Sequence, residues 1–190
     1  FERPELSACV INIDDPWGLA LARRLVVEGR AVIACTLYAA NADAVPGARV
    51  LRADRLQAAP AGLRFTLVWE GREAEIGVRM VAHFNVSNLI AVAGALLARG
   101  IAFDELPPVL GRLAPPQGRM QLVGGVCEPL VVIDYAHSPD ALAKVLEALR
   151  GTVHSRRGRL VCVFGCGGDR DPGKRPMMGE IASAIADRVV

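Results

Sequence analysis

The sequence predicts an α/β protein in two parts. Residues 8–36 run from an apolar stretch through a helical period to a second apolar stretch, the strand–helix–strand building block of a parallel sheet. Residues 120–190 alternate strands and helices again, which implies an open, Rossmann-like parallel sheet. Between these stretches, Ala114-Pro115-Pro116-Gln117-Gly118 sets two prolines and a glycine between periodic segments, as a domain boundary does. The parts are therefore residues 1–115 and 116–190.

The first strand covers residues 8–13. Asp14 and Asp15 then cap a helix whose first turn holds Pro16, where a missing N–H costs nothing. Leu19, Ala22, Leu25 and Val26 give that helix an apolar face, Gly29 ends it, and residues 31–36 form the second strand. The pattern then changes to shorter, alternating strands over 49–56, 63–69 and 73–81, with Gly71 at the turn of an antiparallel hairpin. A helix follows over 86–99, because Val86, Leu89, Ile90, Ala93, Leu96 and Leu97 keep the helical period and Gly100 closes it. Another covers 104–113, with Pro107 and Pro108 confined to its first turns. Beyond the boundary come strands over 120–123 and 130–135, then a helix over 139–149 capped by Ser138 with Leu142, Val145, Leu146 and Leu149 as its buried stripe. A strand over 160–164, a helix and a last strand complete the order. Ligands of such sheets bind beyond the strand C-terminal ends. Those ends are Asp134-Tyr135-Ala136-His137 and the loop from Gly165, both on one rim.

Apolar residues make up 52% of the chain and charged residues 22%, a globular balance. A net charge of +2 without a long basic run gives no footprint for nucleic acid. No apolar stretch reaches membrane-spanning length and no signal-peptide pattern opens the chain, so no membrane partner is expected. Five cysteines, an odd count without a CxxC pair, fit the reduced thiols of a cytoplasmic protein. His83, His137 and His154 are scattered and form no zinc constellation, so no metal ligands are expected within these residues. The chain opens and stops within running structure, and the expectation is an internal piece of a longer protein.

The loop Gly165-Cys166-Gly167-Gly168-Asp169-Arg170-Asp171-Pro172-Gly173-Lys174-Arg175-Pro176 joins a buried-type strand to a helix. Its glycines let the backbone approach a ligand at the helix end that favours anions. Gly168-x4-Gly173-Lys174 fits a phosphate loop except that Arg175 stands where a hydroxyl would meet Mg²⁺. Pro172 has no N–H to donate, and Asp169 and Asp171 repel a triphosphate. The mixed charge suits a zwitterionic ligand or one arm of a closing site; the plainer reading is a charged surface connection. Asn85 and Asn88, three apart at a helix start, can present two amides to the edge of a purine. Alternatively Asn85 is an N-cap and Asn88 a solvated first-turn residue. Arg119 can swing a fork of donors onto a phosphate, or be a surface arginine. Asp134 at a strand tip suits ribose hydroxyls, a metal or another side chain, while His137 can stack on a base or be structural. Asp140 is a favourable first-turn charge on its helix. No GxGxxG motif follows a strand and opens a helix, which disfavours a dinucleotide oxidoreductase.

These pieces occur together, in order, in one family. Phe84-Asn85-Val86-Ser87-Asn88, Gly118-Arg119-Met120, Asp134-Tyr135-Ala136-His137-Ser138-Pro139-Asp140-Ala141-Leu142 and the Gly165 to Asp171 loop with Lys174-Arg175-Pro176 resemble the Mur ligases over nearly the whole chain. Val10 to Asp15 also resembles that family's central-domain segment. The resemblance implies that residues 1–115 are the C-terminal part of a central ATPase-like domain and 116–190 the start of a Rossmann-like ligase domain. It implies an ATP-dependent amide ligase of peptidoglycan synthesis that uses Mg²⁺. Its partners would be a UDP-muramoyl dipeptide, activated as an acyl phosphate, and a free amino acid, meso-diaminopimelate or L-lysine. By the same resemblance, Asn85 and Asn88 lie at the adenine of ATP, Arg119 at a phosphate, Asp134 near the ribose and hinge, and His137 near the nucleotide. Lys174 and Arg175 give phosphate or loop support, and Arg170 holds the carboxylate of the incoming amino acid. The family's phosphate loop, magnesium ligands and modified lysine would lie upstream, so no catalytic residue is assigned here and the piece alone is expected to be inactive. Ala82 stands where the family usually has glycine, and Gln121 where glutamate often follows Gly-Arg-Met. Competing readings are a folylpolyglutamate synthase of the same superfamily and a non-catalytic nucleotide-binding or scaffolding protein.

Overall fold

Successive side chains of a strand point to opposite faces, and in the first two strands both faces are apolar. Strand β1 (Cys9–Asn12) pairs in parallel with β2 (Val32–Thr36), with Cys9 opposite Val32 and Asn12 opposite Cys35. Cys9, Ile11, Ile13, Val32 and Ala34 pack with Ala22 and Leu25 of helix α1 (Pro16–Val27). The alternate positions Val10, Ile33 and Cys35 meet the second helix, α2 (His83–Ala98), at Gly94. A Cβ at Gly94 would stand 2.7 Å from Val10 Cγ1, so only glycine lets α2 lie this close to the sheet. Burial, with the Asp14 carboxylate as a smaller cause, pushes the Cys35 thiol up to about 12. That thiol donates to the carbonyl of Ile90 on α2.

In the computed structural model, residues 3, 6–59, 61–124, 128–167 and 171–190 are described. One unit comprises residues 1–57, 64–78 and 83–113, and a second comprises 58–63, 79–82 and 114–190. In the first, β1 and β2 continue into β3 (Arg49–Ala59), β4 (Gly62–Trp69) and β5 (Arg72–Val78), a single sheet in that order. β2 and β3 are parallel. Glu70 and Gly71, both with positive φ, make the two-residue link from β4 to β5 that reverses the chain, as the Gly71 hairpin predicts. Sequence spacing separates the parallel unit from the hairpin, whereas β3 joins both into one sheet.

Three helices differ from expectation in their bounds, one of them being the helix expected over 139–149, which runs on to Ser155. α2 begins at His83 rather than residue 86, because Ala82 turns the chain sharply with φ +71° and helical geometry starts at once. The helix predicted over 104–113 is a 3₁₀ turn at Phe103–Glu105 followed by the short α3 (Leu106–Leu110). Pro107 and Pro108 have no N–H to return to Phe103 and Asp104, so the opening turn stays 3₁₀ and α3 begins only at Leu106.

The second unit is built around α4 (Pro139–Ser155) and α5 (Lys174–Ile185). Leu142, Leu146 and Leu149, the predicted stripe, join Met120, Leu160, Cys162, Met178 and Ala182 in its core. Burial raises the Cys162 thiol above its usual range. Ser138 caps α4 by accepting from Ala141 N at 3.3 Å, with Pro139 at the first position. The unit is α/β as expected, and its strands pair in both senses. β6 (Gln121–Val123) and β7 (Val131–Ile133) are antiparallel, and only β8 (Val161–Cys162) and β9 (Arg188–Val189) run parallel. Among the described residues the two pairs do not join. A cleft of about 650 Å³, lined by Val132, Leu142, Leu146 and Cys162 among others, lies between β7, α4 and β8. Alternation predicts the kinds of element and their order, but edge pairing is a non-local choice.

Candidate functional site

Asp14 and Asp15 do not share one task. Asp15 alone caps α1, its Oδ1 accepting from Trp17 N and Gly18 N at 2.9 and 3.0 Å. Asp14 instead accepts from Leu37 N at 2.7 Å, Asn41 Nδ2 at 2.9 Å and the buried Thr36 hydroxyl. It therefore ties the C-terminal ends of β1 and β2 together, a role the helix-cap signal hides.

Asn85 and Asn88 both lie inside α2, so the N-cap alternative for Asn85 falls. Asn85 is buried with Val86, Leu89 and Ile90 on the helix's inner side, whereas Asn88 is exposed. No buried side-chain nitrogen or oxygen among the described residues lacks a partner, which makes Asn85 a satisfied core amide. Asn88 presents its donors and acceptor outward.

In the second unit the Gly-Arg-Met turn and the strand-tip segment form one assembly. Gly118 has φ +70°, and its N–H donates to Gln121 Oε1 at 3.0 Å, closing the turn that carries Arg119. The amide at Gln121 thus accepts the bond with a neutral oxygen. Met120 N donates to Asp134 Oδ2 at 2.9 Å, and Ala136 N donates to Asp134 Oδ1 at 2.8 Å. Asp134 is the clasp that holds the entry of β6 to the exit of β7. Each of its oxygens keeps acceptor capacity for a further donor.

The Arg119 guanidinium lies 5.5 Å from the centre of the exposed Tyr135 ring and makes no ion pair among the described residues. The His137 ring stands edge-on to the same tyrosine, with centroids 5.5 Å apart, and its Nδ1 lies 3.2 Å from Tyr135 O. Lys174 Nζ donates to His137 O at 3.2 Å, which brings the start of α5 to the strand-tip segment as a common rim requires. Arg175 is exposed on the same first turn of α5. Asp140 is held in an exposed ion pair with Lys144 at 2.8 Å, consistent with a helix-surface charge. Arg170, with Gly168 and Asp169, lies outside the described residues. Residue spacing missed Tyr135, whose ring the segment following β7 brings beside His137. Together these groups offer a planar cation, an ammonium, two aromatic rings and a carboxylate, the chemistry of a site for a phosphorylated aromatic ligand.

Comparison with known proteins gives this arrangement its class. The Mur ligase middle domain matches residues 1–96, and the Mur ligase glutamate ligase domain matches residues 118–190. The chain belongs to the Mur ligases. It is similar to UDP-N-acetylmuramoyl-L-alanyl-D-glutamate--2,6-diaminopimelate ligase of Janthinobacterium sp. (strain Marseille), 44% identical over 190 residues, covering 100% of this chain and 37% of the relative. The protein of that name in Ectopseudomonas mendocina (strain ymp) is 46% identical over 189 residues, covering 100% of the chain and 36% of the relative. A solved structure of a ligase of that name superimposes with a TM-score of 0.71 at 35% identity, covering 96% of this chain and 36% of that one. The chain thus spans a little over a third of the length of the curated relatives it matches. A folylpolyglutamate synthase from Thermotoga maritima, at 14% identity and a TM-score of 0.63, shares the fold alone.

Proposed function

We propose that the whole protein is an ATP-dependent amide ligase adding meso-diaminopimelate to UDP-N-acetylmuramoyl-L-alanyl-D-glutamate in peptidoglycan synthesis. In this reading residues 1–115 are the C-terminal part of its ATP-binding domain and 116–190 the start of its ligase domain. The observation that carries it is identity of 44% and 46%, over the full length of this chain, to relatives named for that reaction. Those names favour diaminopimelate over L-lysine as the added amino acid.

Bound ATP supplies the phosphoryl group that turns the dipeptide's terminal carboxylate into an acyl phosphate, which the incoming amine displaces with loss of phosphate and a proton. Arg119, which has no carboxylate partner among the described residues, directs a fork of donors at a phosphate. Lys174 has two donors left beyond the one on His137 O, and Arg175 adds positive charge on the same turn. Asp134 uses its remaining acceptor capacity on ribose hydroxyls. His137 lies against the nucleotide, while Asn88, with Asn85 behind it, reads the adenine edge. Arg170 takes the carboxylate of the incoming amino acid. Mg²⁺ would offset phosphate charge, but among the described residues no three His, Cys, Asp or Glu side chains converge to hold it.

The test is ADP release by the purified full-length protein. Release should require both the UDP-muramoyl dipeptide and diaminopimelate, and L-lysine should support at most about a tenth of the rate. ADP release indifferent to the muropeptide, or faster with lysine, would overturn the assignment.

A further inference from the structure

We infer that Tyr135 is a positioning residue, a ring that holds Arg119 ready for an anionic phosphate before the nucleotide arrives. The inference rests on the ATP-binding reading above and concerns a side chain to which that reading gives no role. Arg119 is exposed, sits on a turn and lacks an ion-pair partner among the described residues. A free arginine of this kind samples many rotamers, and ordering it on binding costs affinity. Here its guanidinium lies 5.5 Å from the Tyr135 ring centre, within range of the attraction between a cation and an aromatic face. The ring is itself oriented. It belongs to the residue after Asp134, whose carboxylate is bonded to the backbone on both sides, and the His137 ring abuts it at an interplanar angle of 60°. Among the described residues the Tyr135 hydroxyl has no hydrogen-bond partner, and the residue is two-thirds exposed (66%). The aromatic face, rather than the hydroxyl or any buried packing, is what the position supplies.

That division of labour is testable in the full-length protein by calorimetric titration with ATP. Tyr135→Phe and Tyr135→Trp keep an aromatic face and should bind ATP within about twofold of the parent. Tyr135→Leu should weaken binding about two- to fivefold, the fold-change expected for an exposed cation–aromatic pair. In an Arg119→Ala background, Tyr135→Leu should add no further loss, because the partner it positions is gone. Additive losses would show that Tyr135 meets the ligand directly and overturn the inference. So would a Phe variant as weak as Leu, or a Leu variant as tight as the parent, and both outcomes leave the ligase reading intact. Failure of the unmutated protein to bind ATP would overturn the inference and its basis together. Thermal midpoints of all variants separate lost binding from lost folding.

Discussion

Ala82 shows how a departure from a family pattern is absorbed by one residue. It is buried to 1% exposure and holds φ +71°, a conformation that glycine adopts freely and alanine does not. A left-handed alanine costs about 1–2 kcal/mol. Its buried methyl returns about 0.8 kcal/mol, and avoiding glycine's larger chain entropy returns about 0.5–1 kcal/mol. Ala82→Gly should therefore change stability by less than about 1 kcal/mol, whereas Ala82→Val should destabilise by about 2 kcal/mol or more, since a β-branched side chain tolerates positive φ poorly. Urea midpoints of the two variants check both statements. The sequence marks Ala82 as unusual, and it marks Asn85, Asn88, Arg119, Asp134 and His137 as chemically apt. It does not say that Asn85 faces inward and Asn88 outward, because a three-residue spacing leaves 60° between side chains and the sheet decides which one is covered. Nor does it show that Asp134 is already bonded to two backbone N–H groups, since Met120 lies fourteen positions away.

Single elements carry the most legible information. The stripe of Leu142, Leu146 and Leu149 on α4 and the Asp15 cap with Pro16 on α1 follow from the 3.6-residue period and the chemistry of helix starts. How elements are tied together is less visible, as Asp187 shows. Its Oδ2 accepts from Leu160 N at 2.6 Å, and Arg150 Nη1 on α4 lies 3.1 Å from both its oxygens, joining α4 to the β8–β9 pair. The Leu160 N–H first, and the Arg150 guanidinium second, hold this carboxyl below its ordinary value of 3.8. A carboxyl whose pKa is depressed by folding contributes stability that is complete above its ordinary value and is lost as pH falls through the folded value. Asp187→Asn should accordingly be less stable than the parent at pH 6, and the gap should close as pH falls below about 4. Denaturant midpoints followed from pH 6 to pH 2 measure this, and a gap that does not narrow as pH falls would assign the loss to something other than the carboxylate's ionisation.

For the molecule as a whole, the chain's share of its relatives, 37% and 36%, sets the expectation for activity. Residues 1–190 alone should release no ADP with ATP, UDP-muramoyl dipeptide and diaminopimelate present. Turnover by this piece would mean that the reacting groups lie within it and that the division of labour proposed above is wrong. Among the described residues no helix is long and apolar enough to cross a bilayer. By itself the sequence determined the kinds of element, their order and the family, because hydrophobic period, caps and short motifs are written over a few neighbouring residues. Tertiary structure alone decided that β3 unites the parallel strands and the hairpin, that β6 and β7 pair antiparallel, and that Arg119 rests on Tyr135. Each of those outcomes is a choice among many possible partners distant in sequence. It is settled by which edges, faces and charges the packed chain leaves within reach.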